Sequence, residues 1–94
     1  MIIGACTVEL HIPGNGSLKG KRRVLKSVIA RLGREFNVSV AEVGNHDLWQ
    51  RATLGIVCVS TEPDHAQGSL MSVVRWLEHN RPDIQVLDFH IETF

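Results

Sequence analysis

Residues 17–36 have the sequence SLKGKRRVLKSVIARLGREF, and the fold is built around this stretch. Its apolar residues recur at steps of three and four, which places them on one stripe of a helix. Ser17 is a favourable N-cap residue at its start. Lysine and arginine occupy most of the remaining surface, so the pattern predicts an amphipathic helix over Leu18–Phe36 with a basic outer face. Gly33 weakens its last turns.

Strands are predicted on both sides of this helix. Residues 1–12 alternate between an apolar side and a mixed side, which is typical of a strand with one buried face, and Pro13 ends the pattern. Two further strands are predicted over Val38–Val43 and Ala52–Ser60. The second of them is apolar on both sides, which indicates a central place in a sheet.

A second helix and a last strand complete the chain. The helix is predicted to start within Thr61–Asp64, where Thr61 is the expected cap and Pro63 lies in the first turn. It is predicted to end near Asn80–Pro82, and a strand follows over Ile84–Phe94. The residues expected on the buried side of that strand are Leu87, Phe89 and Ile91.

The order βαββαβ, with short connections and no internal repeat, predicts a single α+β domain over residues 1–94. The expected architecture is ferredoxin-like, with a four-stranded antiparallel sheet in the order 4-1-3-2 and both helices on one face. The opposite face is then bare. It is expected to present the polar residues Thr7, Glu9, His11, Glu42, Asp88, His90 and Glu92, interspersed with Ile3, Ala5, Val57 and Val59.

Composition excludes several classes of protein. A chain of 94 residues with 44% hydrophobic and 21% charged residues can form one globular core, and it is neither disordered nor a coiled coil. No apolar run reaches the ~20 residues of a membrane span, and a signal peptide is not apparent. Cys6 and Cys58 are too few for a disulfide scaffold. We therefore expect a cytosolic protein with buried, reduced thiols and no membrane partner.

The charge is zero in total but unevenly distributed. Residues 1–47 hold seven Lys or Arg against four Asp or Glu, a net +3, and residues 48–94 hold three against six, a net −3. The seven cations of the first half fall in one window that contains no acid. These predicted nucleic-acid-binding residues are Lys19, Lys21, Arg22, Arg23, Lys26, Arg31 and Arg34.

Two interpretations of the basic window remain open. A cationic helix face neutralises phosphates, and arginine contacts phosphate through two parallel hydrogen bonds. The alternative is a solvated face whose long side chains shield the edge of the core. RNA-recognition domains with the same βαββαβ order stack bases on aromatic residues of strands 1 and 3, and this chain has none there. We therefore expect any RNA contact to come from the helix.

A protein partner has four candidate residues. Trp49 beside Arg51 either stacks on a base or anchors a partner, or else Trp49 folds down to cap the end of the core. Val57 and Val59 on the bare sheet face favour pairing with a protein or with a second copy of this chain.

Catalytic and metal chemistry find little support. The loop before the helix is not a P-loop, because Asn15 and Arg22 stand where a Gly and a Ser or Thr are required. It also lacks the arginine that an acylphosphatase-type enzyme would need. Four residues of the bare face have the chemistry of zinc ligands, but a solvated sheet face is polar in any case. They are Glu9, His11, His90 and Glu92. We expect no enzyme, no cofactor and no metal.

Several short motifs lie between residues 10 and 52: LHIP at residues 10–13, SLK and KRR within residues 17–23, NVSVAE at residues 37–42 and DLWQRA at residues 47–52. In these motifs the chain resembles the bacterial YlxP-like family, a domain of unknown function. The resemblance implies a ferredoxin-like fold, a cytosolic bacterial protein and no established catalytic activity. Family genes often lie near translation-factor genes, which favours association with RNA or the ribosome.

One departure from the family concerns the start of the first helix. The family often has Glu where this chain has Gly20, and that Glu would complete a capping box with Ser17. Its absence predicts a first turn that is looser by ~1 kcal/mol.

Taken together, the residues and the resemblance predict a non-enzymatic, RNA- or ribosome-associated binding domain that uses its basic first helix. The alternative is a homo-oligomeric regulatory or scaffold domain, such as a homodimer, that pairs through its sheet face.

Overall fold

The computed structural model describes residues 1–94 as one sheet and two helices. The elements are β1 (Ile2–His11), α1 (Leu18–Glu35), β2 (Ser39–Gly44), β3 (Arg51–Ser60), α2 (Pro63–Asn80) and β4 (Gln85–Thr93). The predicted order βαββαβ is confirmed, with small changes at the ends of the elements.

The four strands form one antiparallel sheet in the order β2-β3-β1-β4. This is the predicted order counted from the other edge, so the ferredoxin-like α+β fold is confirmed. β1 and β3 pair from Ile2 opposite Ser60 to His11 opposite Arg51. β3 is therefore a central strand, as the apolar residues on both of its sides predicted. β2 and β4 are the edge strands of the sheet.

Both helices share a single core with one face of the sheet. Every second residue of β1 and β3 points toward the helices. These side chains pack against the apolar stripes of α1 and α2. The fully buried large apolar residues are Val8, Leu10, Val28, Leu32, Leu54, Ile56, Leu70, Val73, Val74 and Leu77. Burying each such side chain stabilises the fold by ~1.5–3 kcal/mol, which decides the side of each helix that faces the sheet. Neither helix is long and apolar enough to cross a membrane.

A β-bulge corrects the predicted alternation in β4. Val86, and not Leu87, pairs with Leu10 of β1, because the register shifts after Glu9. Leu87 falls at the bulge and is 48% exposed, so its predicted burial is wrong. Phe89 lies opposite buried Val8 but stays 38% exposed, because β4 is an edge strand.

The start of α2 also differs from the prediction. Its N-cap residue is Glu62, without a side-chain cap, and not Thr61. Ser60 Oγ accepts a hydrogen bond from the Glu62 backbone N–H at 3.2 Å and lies 3.0 Å from His65 Nδ1. Pro63 is the first helical residue, a position that suits proline because the N–H it lacks would have no partner there.

Candidate nucleic-acid interface

Five of the seven predicted cations share one exposed side of α1. The buried side of the helix carries Leu25, Val28 and Leu32. The five charged residues together span roughly a third of the helix circumference, on the side that faces away from the core. None of them forms a salt bridge with a carboxylate. We call these residues the basic arc: Lys19, Arg22, Arg23, Lys26 and Arg34.

Lys21 does not belong to this exposed set. Its side chain is 1% exposed, so the prediction that it contacts nucleic acid is wrong. The reason is its place on the helix. Lys21 lies four residues before Leu25, and Val28 and Leu32 continue the same stripe, so the apolar side of α1 begins with a lysine.

The buried ammonium of Lys21 is satisfied by the connection between β2 and β3. Nζ donates to the backbone carbonyls of Asn45, His46 and Arg51 at 2.8, 3.1 and 3.2 Å. An ammonium group has three N–H donors, so all three are used. Glu42 supplies the opposite charge, with Oε2 at 3.0 Å from Nζ. That oxygen is buried without an aligned hydrogen bond, and the ammonium charge is its partner.

The expected position of Glu42 on the bare sheet face is therefore wrong. Glu42 pairs with Leu54, which is buried beneath the helices, so both side chains lie on the helix side of the sheet. The sequence contained a signal for this pair. Val40 and Glu42 share one side of β2, and Lys21 is the first residue of the buried stripe of α1, so an acid and a lysine each occupy a place where an apolar residue is expected.

Arg31 lies on the other flank of α1, toward α2. Its Nη2 is 3.8 Å from Glu35 Oε1, and its guanidinium lies 5.5 Å from the centre of the Trp76 ring. The side chain remains half exposed. Its cation–π contact explains the half-buried position of Trp76, and Arg31 stands apart from the basic arc.

Trp49 is exposed at the end of the sheet where α1 begins. Its side chain does not cap the core, since the residue is 54% exposed. Asn15 holds the backbone beneath it, because Nδ2 donates to the carbonyls of both Ser17 and Trp49. Gln50 Nε2 donates back to the Asn15 carbonyl at 3.2 Å. Trp49 is thus held next to the first turn of the helix that carries the basic arc.

The N-cap of α1 is the predicted one. Ser17 Oγ accepts a hydrogen bond from the Gly20 backbone N–H at 2.9 Å. A Cβ atom at residue 20 would overlap Asn15 Oδ1. Gly20 therefore leaves room for the carboxamide that ties the two loops together, which a glutamate at this position would displace.

Comparison with known proteins identifies the family. Residues 3–91 match the family described as "Protein of unknown function (DUF503)". The chain belongs to the DUF503 family. It is 38% identical over 84 residues to the "Uncharacterized protein YlxP" of Bacillus subtilis (strain 168), and the match covers 89% of this chain and 90% of that protein. The YlxP-like resemblance is thereby confirmed.

Among the solved structures that are similar to this DUF503 chain is one from Shewanella oneidensis. It is described as "Crystal structure of protein SO0527 from Shewanella oneidensis", with a TM-score of 0.48 and 21% sequence identity. The similarity covers 97% of this chain and 88% of that chain.

The four predicted partner residues of this DUF503 protein do not form one site. Val57 and Val59 lie on the bare sheet face opposite Ala5 and Ile3, and both are exposed. Arg51 is six residues away from Val57 along β3, which is about 20 Å in a strand. It lies with Trp49 at the loop end of the sheet, so the candidates divide into an apolar patch and a loop site.

The histidines of the bare face of this DUF503 protein are also separated. His90 pairs with Thr7, and His11 pairs with Gln85, whose Oε1 lies 3.0 Å from His11 Nδ1. His90 Nε2 contacts Glu92 Oε1 at 2.9 Å. No group of three or more His, Cys, Asp or Glu side chains is arranged to hold a metal ion.

Both cysteines of this DUF503 protein are free and buried. Burial raises the pKa of the Cys6 thiol to about 11, because the thiolate would lose its hydration. Cys6 is therefore protonated at neutral pH, and it behaves as a small apolar residue of the core.

Proposed function

We propose that this DUF503 protein is a non-enzymatic RNA-binding domain of the bacterial cytosol that contacts RNA through the basic arc. The single observation that carries the proposal is a row of five exposed cations on one rigid helix with no carboxylate paired to them. The ribosome is the RNA partner favoured by the resemblance to the YlxP-like family.

The basic arc is long enough to contact several phosphates of an RNA backbone. Lys19 and Arg34 are fifteen residues apart, which corresponds to about 22 Å along a helix. Because α1 is packed on the sheet, its charges are presented without the cost of ordering the backbone. Each phosphate contact with a single strand changes the slope of log K against log salt concentration by about −0.7.

An RNA titration tests this proposal. A labelled single-stranded 20-mer of mixed sequence is titrated at 50 and 200 mM salt. We expect binding that weakens with salt, and a slope reduced by about 2 when Arg22→Glu, Arg23→Glu and Lys26→Glu are combined. Arg75→Glu on α2 is the matched control, because Arg75 is exposed outside the arc. The proposal fails if the wild-type protein does not bind at 50 mM salt, or if the triple variant binds equally well.

Pairing through the bare sheet face is the second candidate function. Val43, Val57 and Val59 are 55%, 41% and 62% exposed on one side of the sheet, and an apolar patch of this kind favours a protein partner or a second copy. Solution molar mass decides between a monomer and a dimer. A doubled mass that is lost in Val57→Lys, but retained in Leu87→Lys outside the patch, supports pairing. A monomer at high micromolar concentration excludes it.

A further inference from the structure

The chain has two tryptophans, and the fold uses only one of them. Trp76 packs against the core and makes the cation–π contact with Arg31. Trp49 lies outside the core cluster and is 54% exposed. Its neighbour Leu48 is 49% exposed. Packing therefore does not account for Trp49, whose indole presents an aromatic surface to solvent.

The backbone that carries this indole is fixed on both sides. Backbone carbonyls before and after Trp49 accept hydrogen bonds from the Lys21 ammonium. The Trp49 carbonyl itself accepts one from Asn15 Nδ2, and the Gln50 carbonyl accepts one from the Ile12 N–H at 2.8 Å. A ligand that contacts the ring therefore binds without the entropic cost of ordering the loop.

The electrostatic surroundings of Trp49 favour an anion. The carboxamide that binds its carbonyl also binds the carbonyl of Ser17, so the loop lies at the N-cap of α1. The first turn of α1 contains Lys19 and no acid, and the N-terminal end of a helix dipole is positive. Arg51 is exposed and has no carboxylate partner. Asp47 is the only acid between β2 and β3.

We propose that Trp49 is a stacking platform for one unpaired base of a single-stranded RNA whose phosphates contact the basic arc. This inference rests on the proposed RNA-binding function. A flat apolar ring beside a row of cations matches a polymer that carries a flat base on each phosphate unit, and proteins bind single strands through this combination. Every base has such a face, so no base is selected.

The stacking platform also determines which form of RNA is preferred. A base inside a duplex is covered on both faces by its neighbours, whereas an unpaired base can be splayed out and stacked on an aromatic side chain. The arc alone contacts phosphates of either form. Trp49 therefore adds a preference for single strands to a surface that otherwise recognises charge.

Substitutions at residue 49 separate stacking from charge. A 20-mer of uridine, whose bases are unpaired, is titrated at 50 and 200 mM salt. Trp49→Leu keeps an apolar side chain but removes the aromatic face, so we expect binding about fivefold weaker or more, with an unchanged salt slope. Trp49→Phe keeps a ring and should retain most of the affinity. Leu48→Ala is the matched control, because Leu48 is similarly exposed in the same loop, and it should bind like wild type.

Tryptophan fluorescence shows whether a base reaches the indole. The uridine 20-mer should quench the emission of the wild-type protein but not that of Trp49→Phe, in which Trp76 is the only tryptophan. Inorganic polyphosphate of similar length carries charge without bases, so it should bind the arc and leave the emission unchanged.

The two proposals fail in different ways. Salt-dependent RNA binding that is unchanged in Trp49→Leu, or emission that RNA and polyphosphate quench alike, overturns the stacking platform alone. The basic arc would then be the whole RNA interface, and the exposed indole would be left to a protein partner. Absence of RNA binding by the wild-type protein at 50 mM salt overturns the proposed function as well.

Discussion

Lys21 and Arg23 are two residues apart on α1 and carry the same charge, but they lie in opposite environments. The Lys21 ammonium is buried, donates to three carbonyls and faces Glu42, whereas Arg23 is exposed and has no carboxylate partner. The role of a lysine or arginine on a helix is thus decided by the stripe on which it lies. On the buried stripe it organises a loop, and on the exposed side it is available to a ligand.

Replacing the buried cation is expected to have the largest effect on stability. Lys21→Met leaves three carbonyl oxygens and the Glu42 carboxylate without a partner. Removing one member of a buried pair costs ~3–5 kcal/mol, whereas Arg23→Met should change the free energy of unfolding by no more than about 0.5 kcal/mol. Urea unfolding of both variants measures the difference. Equal losses in the two variants would show that burial does not distinguish these cations.

Replacing Asn45 should have the next largest effect on the free energy of unfolding. Its carbonyl is the nearest acceptor of Lys21 Nζ. Its φ is 59°, and its Nδ2 donates to Thr53 Oγ1 at 3.0 Å and to Glu9 Oε2 at 3.3 Å. Asn45→Gly loses these side-chain bonds, at a cost of ~1–2 kcal/mol. Asn45→Ala should cost about 1 kcal/mol more, because it also opposes the left-handed backbone. Equal free energies of unfolding for the two variants would exclude a contribution from backbone conformation.

Replacing either of two glycines of α1 by alanine should change the free energy of unfolding by about 1 kcal/mol, with opposite signs. A Cβ at Gly33 meets nothing within 4 Å, so Gly33→Ala should stabilise the helix by ~0.5–1 kcal/mol. Gly20→Ala should not, because the new methyl group displaces the Asn15 carboxamide that joins Ser17 to Trp49. Thermal unfolding of the two alanine variants should shift the midpoint in opposite directions, and a higher midpoint for Gly20→Ala would contradict the role of Asn15.

Replacing Asp83, which forms an ion pair with Arg81, should have the smallest effect, because the Asp83 side chain is 44% exposed although that of Arg81 is only 13% exposed. Arg81 Nη2 lies 2.7 Å from Asp83 Oδ2, and Nη1 donates to Ser27 Oγ on α1. The hydrogen bond from Arg81 lowers the pKa of Asp83 below its ordinary value. Because Asp83 is 44% exposed, Asp83→Asn should cost less than ~1 kcal/mol at pH 7.

The pH dependence of that variant follows from the direction of the shift. A carboxyl group with a lowered pKa in the folded state stabilises the protein above its unfolded pKa, and this contribution is lost as the pH falls through the folded pKa. Wild type and Asp83→Asn should therefore differ at pH 7 and converge below the lowered pKa. A difference that persists in strong acid would show that the ion pair is not its cause.

The sequence predicted the elements and their order well, because periodicity reports which side of each element is apolar. The errors fall where a single position departs from that period. The sequence pattern predicts an exposed Lys21, because charge is normally solvated and only a partner makes its burial tolerable. The alternation predicts a buried Leu87, because a β-bulge is not visible in an alternating pattern.

Residue order by itself therefore determined the βαββαβ arrangement, the strand order and the amphipathic α1 with its cations. Only the tertiary structure decided which of those cations remain free, since that depends on acceptors from distant parts of the chain. Glu42, Asn45, His46 and Arg51 are all supplied to Lys21 by the β2–β3 region. A groove between α1 and β2, lined by Leu25, Ile29 and Glu42 among others, has the same origin, because its two walls meet only when the helix packs on the sheet.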